Sequence, residues 1–217
     1  LLNNDKKPLV LIGGGGHASV LLDILLKQNR TVLAVISPTD IAQRSIFSGL
    51  RHLKEDADIN EFTTDSVLLV NGIGSTPGSN VRRKVAEYFT MLGFHFETIV
   101  AHNAEVSVYA NVAEGAQILH SATIQAGVEV GAQSIINSCA LVEHDCRIDE
   151  FCHVAPNSTL CGQVSLEKDC FIGAGAVVIP SVNIGASTVI GAGAIINKNV
   201  DSKTTIYPAK SVTKQRK

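Results

Sequence analysis

From Val106 to Asp201 the chain reads VSVYAN VAEGAQ ILHSAT IQAGVE VGAQSI INSCAL VEHDCR IDEFCH VAPNST LCGQVS LEKDCF IGAGAV VIPSVN IGASTV IGAGAI INKNVD. Each of these sixteen six-residue blocks opens with an aliphatic residue, from Val106 and Val112 through Val142 and Ile148 to Ile190 and Ile196. The fifth place of each block is small or thin, as at Ala110, Ala122, Ser134, Cys146, Ser158, Ala176 and Val200. A period held this long marks a repeat architecture, and a hexapeptide period is that of a parallel β-helix.

The two inward slots of a block, place five and the next opener, lie two residues apart, which is strand alternation. The four-residue gap that follows must turn a corner. Three strands and three corners make a coil of 18 residues, so residues 18 apart stack roughly 4.8 Å apart along the axis. The hexad at Val100, with Ala104 in its small slot, is expected to start a prism of about five and a half coils, roughly 26 Å long. Places three and four are corners and point away from the core.

Composition narrows the class. Of 217 residues 45% are hydrophobic and 18% charged, with no tryptophan, which describes a soluble chain with an aliphatic core. A net charge of −2 gives no basic field to draw in nucleic acid. No apolar run approaches the roughly 20 residues of a membrane span, and Leu1 to Lys7 does not read as a signal peptide. All five cysteines (Cys139, Cys146, Cys152, Cys161, Cys170) fall inside the repeat without a C-x-x-C pairing, so free thiols in a reducing cytoplasm are expected.

Ahead of the repeat, Leu9 to Ile12 is a short apolar run followed by Gly13-Gly14-Gly15-Gly16-His17-Ala18, after which Val20, Leu21, Ile24 and Leu25 recur at helical spacing. Val32 to Ile36 reads as a second strand, completing a βαβ unit whose glycine turn suits a phosphate at a helix N-terminus. A nicotinamide dinucleotide site wants an acidic residue at the end of that strand; Ser37-Pro38-Thr39 stands there and Asp40 comes late. A mononucleotide, such as half of a sugar nucleotide, fits better. Residues 41 to 65 carry little signal. Val67 to Val70 is a buried-strand run ending in the glycine turn Asn71-Gly72-Ile73-Gly74. Ser79 to Leu92 reads as an amphipathic helix with Val81, Val85, Tyr88, Phe89 and Leu92 on one face, and Phe94 to Ile99 as another strand. Residues 1–99 thus form a Rossmann-like α/β domain, with its ligand edge where the turns at Gly13 and Gly72 meet, and residues 100–217 form the β-helix and a short tail.

Indexing the hexads locates candidate chemistry. His144 and Asp145 form a corner pair, with Ala126 one coil below His144 and Gly162 one coil above. A histidine between small neighbours borders an open groove, and Gly162 can present its N–H there, as an oxyanion donor beside a general base requires. Lys198, three coils up, lies about 14 Å along the same edge, within reach of a phosphate of an elongated cofactor. His102 and His120 stack on another corner, and His153 points outward from a strand, half a coil from His144. A zinc site from His120, His144 and His153 would need faces that do not converge within one subunit.

The whole chain resembles the bacterial nucleotide-sugar acyltransferases typified by the UDP-N-acetylbacillosamine-forming N-acetyltransferases and the sialic-acid O-acetyltransferases. The resemblance rests on Leu11 to Ala18, the Gly72 turn with Arg82 downstream, Val142-Glu143-His144-Asp145-Cys146, Glu150-Phe151-Cys152-His153-Val154, Cys161-Gly162 and Pro208-Ala209-Lys210. It implies a left-handed prism, a homotrimer with active sites between neighbouring prisms, and acetyl-CoA as co-substrate, with no metal. It further implies that His144 is the general base toward the amine of a nucleotide-linked amino sugar, foremost a UDP-4-amino-4,6-dideoxy sugar. Asp145 or Glu143 would orient that base. Gly162, His153, Lys198 and Lys210 would serve the oxyanion and acetyl-CoA, and Gly13, Gly15, Gly16, His17, Ser37, Gly72 and Arg82 the nucleotide sugar. Relatives often carry an acidic pair where this chain has Ser37-Pro38. Two other readings stand beside this one: acetylation of a sugar hydroxyl, and a non-catalytic trimeric scaffold that binds a nucleotide sugar.

Overall fold

The computed structural model describes residues 6–209, so Lys210 lies outside the described residues. The first part is a four-stranded parallel sheet of β1 (Leu9–Ile12), β2 (Val32–Ile36), β3 (Arg51–Leu53) and β4 (Leu68–Asn71), in the order β3-β2-β1-β4. Helix α1 (Gly16–Lys27) crosses from β1 to β2, and α2 (Val81–Met91) follows β4. The strands are near-continuous apolar runs because the sheet is covered on both faces. Leu9 and Leu11 pack with Leu21, Ile24 and Leu25 of α1, whereas Val10 and Ile12 pack with Ala86 and Phe89 of α2. The chain reverses direction about β1, so the turns after β1 and β4 adjoin at the switch point, with Gly72 N–H donating to Ile12 O at 2.7 Å.

Residues 41–65, where the sequence carries little signal, supply β3 and two 3₁₀ turns (Ser45–Phe47 and Asp56–Glu61). Helix α2 also departs from expectation. Its buried residues are Arg82, Ala86 and Phe89, while Val81, Tyr88 and Leu92 are exposed. The helix is turned so that the Arg82 guanidinium enters the protein, where backbone carbonyls accept from its Nε and Nη1.

Phe94 to Ile99 is not one strand. Phe96 makes a single bridge to Leu69, and Ile99–Val100 pairs instead with Gln117–Ile118, as the first rung of the β-helix. From there the strands form three parallel sheets, the faces of a prism. The first face holds the seven strands at Val100, Ile118, Ile136, Val154, Ile172, Ile190 and Ile206; the second holds six, from Val106 to Ile196; the third holds five, from Val112 to Ile184. Openers pair at the 18-residue interval the hexads require, for example Val106 with Ile124, Val130 with Ile148 and Val178 with Ile196. Openers and small slots together fill one continuous core, in which Cys146, Cys152 and Cys170 are buried thiols.

The period fails once. Ile190 pairs with Ile206 and Ile184 bridges Val200, both 16 residues apart. The sixteenth block is therefore no full hexad: after Ile196 the chain cuts the corner at Asn197–Asn199, and Val200 takes an opener's place. At the fourth place of the corners from Gly115 to Gly193 φ is positive, as at Gln133 (59°), Asp145 (59°), Asn157 (58°) and Ser181 (62°). Short polar residues tolerate that left-handed conformation better than branched ones, which accounts for their recurrence there.

The α/β domain lies against the first face. Leu119 and Ile135 share a core with α1, and Phe151 packs against the cluster around α2. Arg83 reaches Asp169 at 2.8 Å and stacks 3.9 Å over the Phe151 ring. Among the described residues no helix is long and apolar enough to cross a membrane.

Candidate active site

The candidate residues gather at two separate places in the chain. The first is the corner between the second and third faces. There the Nδ1 of His144 lies 2.8 Å from Oδ2 of Asp145, both side chains being 60% exposed. An ionised carboxylate accepts, so Nδ1 carries the proton and Nε2 keeps its lone pair. The left-handed backbone of Asp145 turns its carboxylate over Gly127, where any β-carbon would collide with Oδ1. The imidazole leans the other way, onto Gly162, where a β-carbon would stand 2.6 Å from Nε2. Two glycines, one coil below and one coil above, make room for the pair. Among the described residues the Gly162 N–H donates to no carbonyl, whereas its neighbours Cys161 and Gln163 donate to Val178 O and His144 O. Glu143 is half-buried just past the adjoining strand, and the carboxylate in contact with His144 is that of Asp145. Lys198 is exposed in the cut corner near the top of this edge.

The second place is the switch point of the sheet. Gly13 (φ 98°), Gly14 and Gly72 are glycines because neighbours leave no room: β-carbons there would come within 2.8 Å of Ile73, collide with Ile41, and come within 2.7 Å of Ile12 O. Gly15 has nothing within 4 Å, and Gly16 only an Arg44 Nη2 at 3.9 Å. The open approach to the N-terminus of α1 is thus over Gly15 and Gly16, and Arg44 stands beside it. Arg44 escapes a reading of the sequence because nothing in residues 41–65 tells which way they fold back. Ser37 is buried, and its Oγ accepts from the Thr39 N–H, so it closes the end of β2.

Arg82 and His153 differ most from expectation. Arg82 is 4% exposed and donates to the carbonyls of Gln133, Asn71 and Ile73, so it props up the Gly72 turn from beneath. Burial lowers its pKa to about 9, which still leaves it charged at neutral pH. Its Nη2 is the one fully buried side-chain nitrogen or oxygen among the described residues without a partner. His153 does point out from its strand, but onto the α/β domain and not to solvent, and it is 8% exposed. Its Nδ1 faces Ser75 O at 3.3 Å, and its Nε2 faces Asn137 Nδ2 at 3.0 Å. A carbonyl can only accept and an amide NH2 can only donate, so both ring nitrogens are committed. The ring also meets Phe171 edge-on, with centroids 4.9 Å apart.

His17, in the first turn of α1, lies near these groups, with Nε2 2.7 Å from Gln117 Oε1. Burial, then the Arg82 charge, lowers its pKa to about 4; burial and the His17 charge lower that of His153 to about 4. Gln117 likewise has no place among the residues expected from sequence. The one signal for it is an amide at a strand position whose neighbours one coil away are Ile99 and Ile135. Above this network a cleft of about 470 Å³ is lined by Ser75, Asn80, Arg83, Phe151, Asp169 and Phe171 among others. His102 and His120 meet on the corner between the first and second faces, 6.4 Å apart, beside Asp23 of α1. Among the described residues no group of three or more His, Cys, Asp or Glu could hold a metal ion.

Comparison with known proteins matches residues 8–89 to the PglD N-terminal domain and residues 163–198 to the hexapeptide repeat of succinyl-transferase. GDP-perosamine N-acetyltransferase of Escherichia coli O157:H7 is 31% identical over 98 residues, which are 45% of this chain and 44% of that protein, so the match spans less than half of the curated relative. A histidine-to-asparagine variant of perosamine N-acetyltransferase from Caulobacter crescentus, in complex with CoA and GDP-perosamine, superposes with a TM-score of 0.83 at 30% identity, covering 92% of this chain and 93% of that one. The acetyltransferase domain of PglB from Neisseria gonorrhoeae, in complex with acetyl coenzyme A, shares the fold at 24% identity, with a TM-score of 0.85 over 95% of this chain and all of that one. With its βαβ domain, parallel hexad prism and near-complete overlap with the Caulobacter crescentus protein, the chain belongs to the family of nucleotide-sugar N-acetyltransferases.

Proposed function

We propose that the protein transfers the acetyl group of acetyl-CoA to the amino group of a nucleotide-linked amino sugar, with His144 as general base. The observation that carries this reading is the His144–Asp145 pair, with its free Nε2 lone pair beside the uncommitted N–H of Gly162. In this scheme the neutral amine attacks the thioester carbon while Nε2 takes its proton. The Gly162 N–H donates to the developing oxyanion. Collapse breaks the C–S bond, and the imidazolium returns the proton to the departing thiolate. No metal or covalent enzyme intermediate is needed. Lys198 meets a phosphate of the coenzyme, while Gly15, Gly16 and Arg44 receive the diphosphate of the sugar nucleotide at the start of α1.

The two sites face apart. The glycine turns lie over the first face, and His144 is on the corner opposite that face. A working site therefore combines the α/β domain of one copy with the His144 edge of another. A closed ring of copies uses every edge and every pocket once, and a homotrimer is the ring that the family resemblance implies. GDP-linked amino sugars head the candidate acceptors because the Caulobacter crescentus protein was crystallised with GDP-perosamine; the UDP-linked 4-amino sugars come next.

Incubating the protein with acetyl-CoA and a panel of GDP-, UDP- and dTDP-linked amino sugars, while following free thiol, tests the reading. Thiol release that requires the amine and disappears in His144→Ala is the expected result. Release with hydroxyl acceptors alone would replace it with O-acetylation, and no release with any acceptor would leave a binding scaffold.

A further inference from the structure

His17 carries a tautomer dictated from a distance. The relay starts at the Asn71 carbonyl oxygen, which can only accept. It takes one hydrogen bond from Arg82 Nη1 at 2.9 Å and a second from Gln117 Nε2 at 2.8 Å. That second bond fixes which way the buried Gln117 amide points, since the flipped amide would set two acceptor oxygens against each other. Gln117 Oε1 is thereby left facing His17 Nε2 at 2.7 Å, and an amide oxygen can only accept. The proton of neutral His17 must sit on Nε2. Nδ1 is an acceptor, and among the described residues it has no protein partner. It is not among the fully buried unpartnered atoms either, so it opens outward, beside Gly74, whose β-carbon would lie 3.3 Å from that of His17.

We propose that Gln117 is a positioning residue that holds His17 as the Nε2–H tautomer, so that His17 offers Nδ1 to an N–H or O–H donor of the acceptor sugar. Burial and the neighbouring Arg82 charge oppose a second proton on the ring, and a charge on His17 would in turn oppose one on His153. A neutral imidazole whose single N–H is committed to Gln117 has nothing to donate to a phosphate oxygen. His17 thus reads the donor side of the ligand, whereas the anion is left to the backbone and Arg44. The inference rests on the acyl-transfer reading for the nature of the ligand, but the tautomer itself does not depend on it.

Two measurements separate the inference from that reading. Long-range 1H–15N correlation of the histidine rings in the ligand-free protein, with His17 assigned by a His17→Gln variant, should show a neutral Nε2–H ring in the native chain. Gln117→Leu should shift His17 toward a mixture of tautomers, and Gln117→Glu, which keeps the acceptor oxygens and adds charge, should bring imidazolium into the neutral range. An Nδ1–H ring in the native protein, or a tautomer indifferent to Gln117→Leu, overturns the relay whether or not the protein is an acetyltransferase. In the transfer assay Gln117→Leu should raise KM for the amino-sugar nucleotide about tenfold, the scale of one hydrogen bond to a neutral partner. KM for acetyl-CoA should not change. Gln117→Glu should weaken acceptor binding progressively as pH falls, because protonation removes the Nδ1 lone pair. An unchanged acceptor KM in both variants, with the tautomer shifted, overturns the role in recognition.

Discussion

The molecule holds its histidines in two contrasting settings. Between the α/β domain and the first face, His17 of α1 and His153 of the prism are closed in, held neutral, and tied to Gln117, Asn137 and Ser75. On the opposite corner His144 is more than half exposed, tied at one nitrogen to Asp145 and open at the other. The first pair sits where a second proton is strongly disfavoured, so it reads or fixes geometry without exchanging protons near neutrality. The second keeps its Nε2 lone pair accessible to an incoming substrate, as the proposed general base requires. Burial decides which histidine can do chemistry, and a count of histidines does not reveal it.

The sharpest way to break the contrast is His144→Ala, for which turnover is expected to fall about 10³-fold, within the range general bases supply. Size-exclusion chromatography should show the assembly intact, since an exposed corner contributes little packing. A comparable loss from His153→Ala with an intact fold and unchanged KM values would mean that the proton is moved at the buried site instead.

Acid should act on the opposite region. His17 and His153 have folded pKa values of about 4 against 6.5 when unfolded. Between those values the unfolded chain binds more protons than the folded one, so stability falls as pH drops from about 6.5 toward 4. At roughly 1.4 kcal/mol per unit, each ring removes at most ~3 kcal/mol by the acid end. Urea midpoints at fixed protein concentration from pH 7.5 to 4.5 should decline, and less steeply in His153→Leu. A flat profile would mean that neither ring is held neutral.

Gly162→Ala comes next. Its methyl would lie 2.6 Å from Nε2 of His144, so the ring must swing off the edge, and kcat is expected to fall about 10²-fold. Asp145→Asn should cost about tenfold: asparagine tolerates the positive φ, but its amide no longer selects the Nδ1–H tautomer, and water partly substitutes at an exposed pair. A pH–rate profile checks this on its acidic limb, the limb that reports a general base.

Much of this is legible from period alone. A hexad fixes which residues share a corner, and so counting by 18 is enough to align His144, Gly162 and Ala126. Register in a solenoid is local arithmetic, and it fails only where the chain drops two residues after Ile196. The domain interface is not legible in the same way. By pattern Arg82 belongs to a charged helix surface and His153 is an outward strand residue, because period says which way a side chain leaves its own element and nothing about what docks there. The partners of both are mostly backbone carbonyls, which have no sequence signature, and the Gln117 amide only reads as buried once the first face is known to be covered.

The smallest effect is expected at Lys198, which also tests how far the arithmetic of the edge extends. Counting by 18 stacks Lys198 over His144, but it lies in the corner that the chain cuts short, so its position along the edge is set by the missing residues as well as by the period. An exposed lysine meeting a phosphate in water is worth well under about 1 kcal/mol. Lys198→Ala should therefore raise KM for acetyl-CoA only about threefold, with kcat and the acceptor KM unchanged, and the difference should vanish as salt is raised. A change in acceptor KM instead would place the sugar nucleotide, and not the coenzyme, along the upper part of this edge. It would also reverse the direction in which the two substrates approach the base.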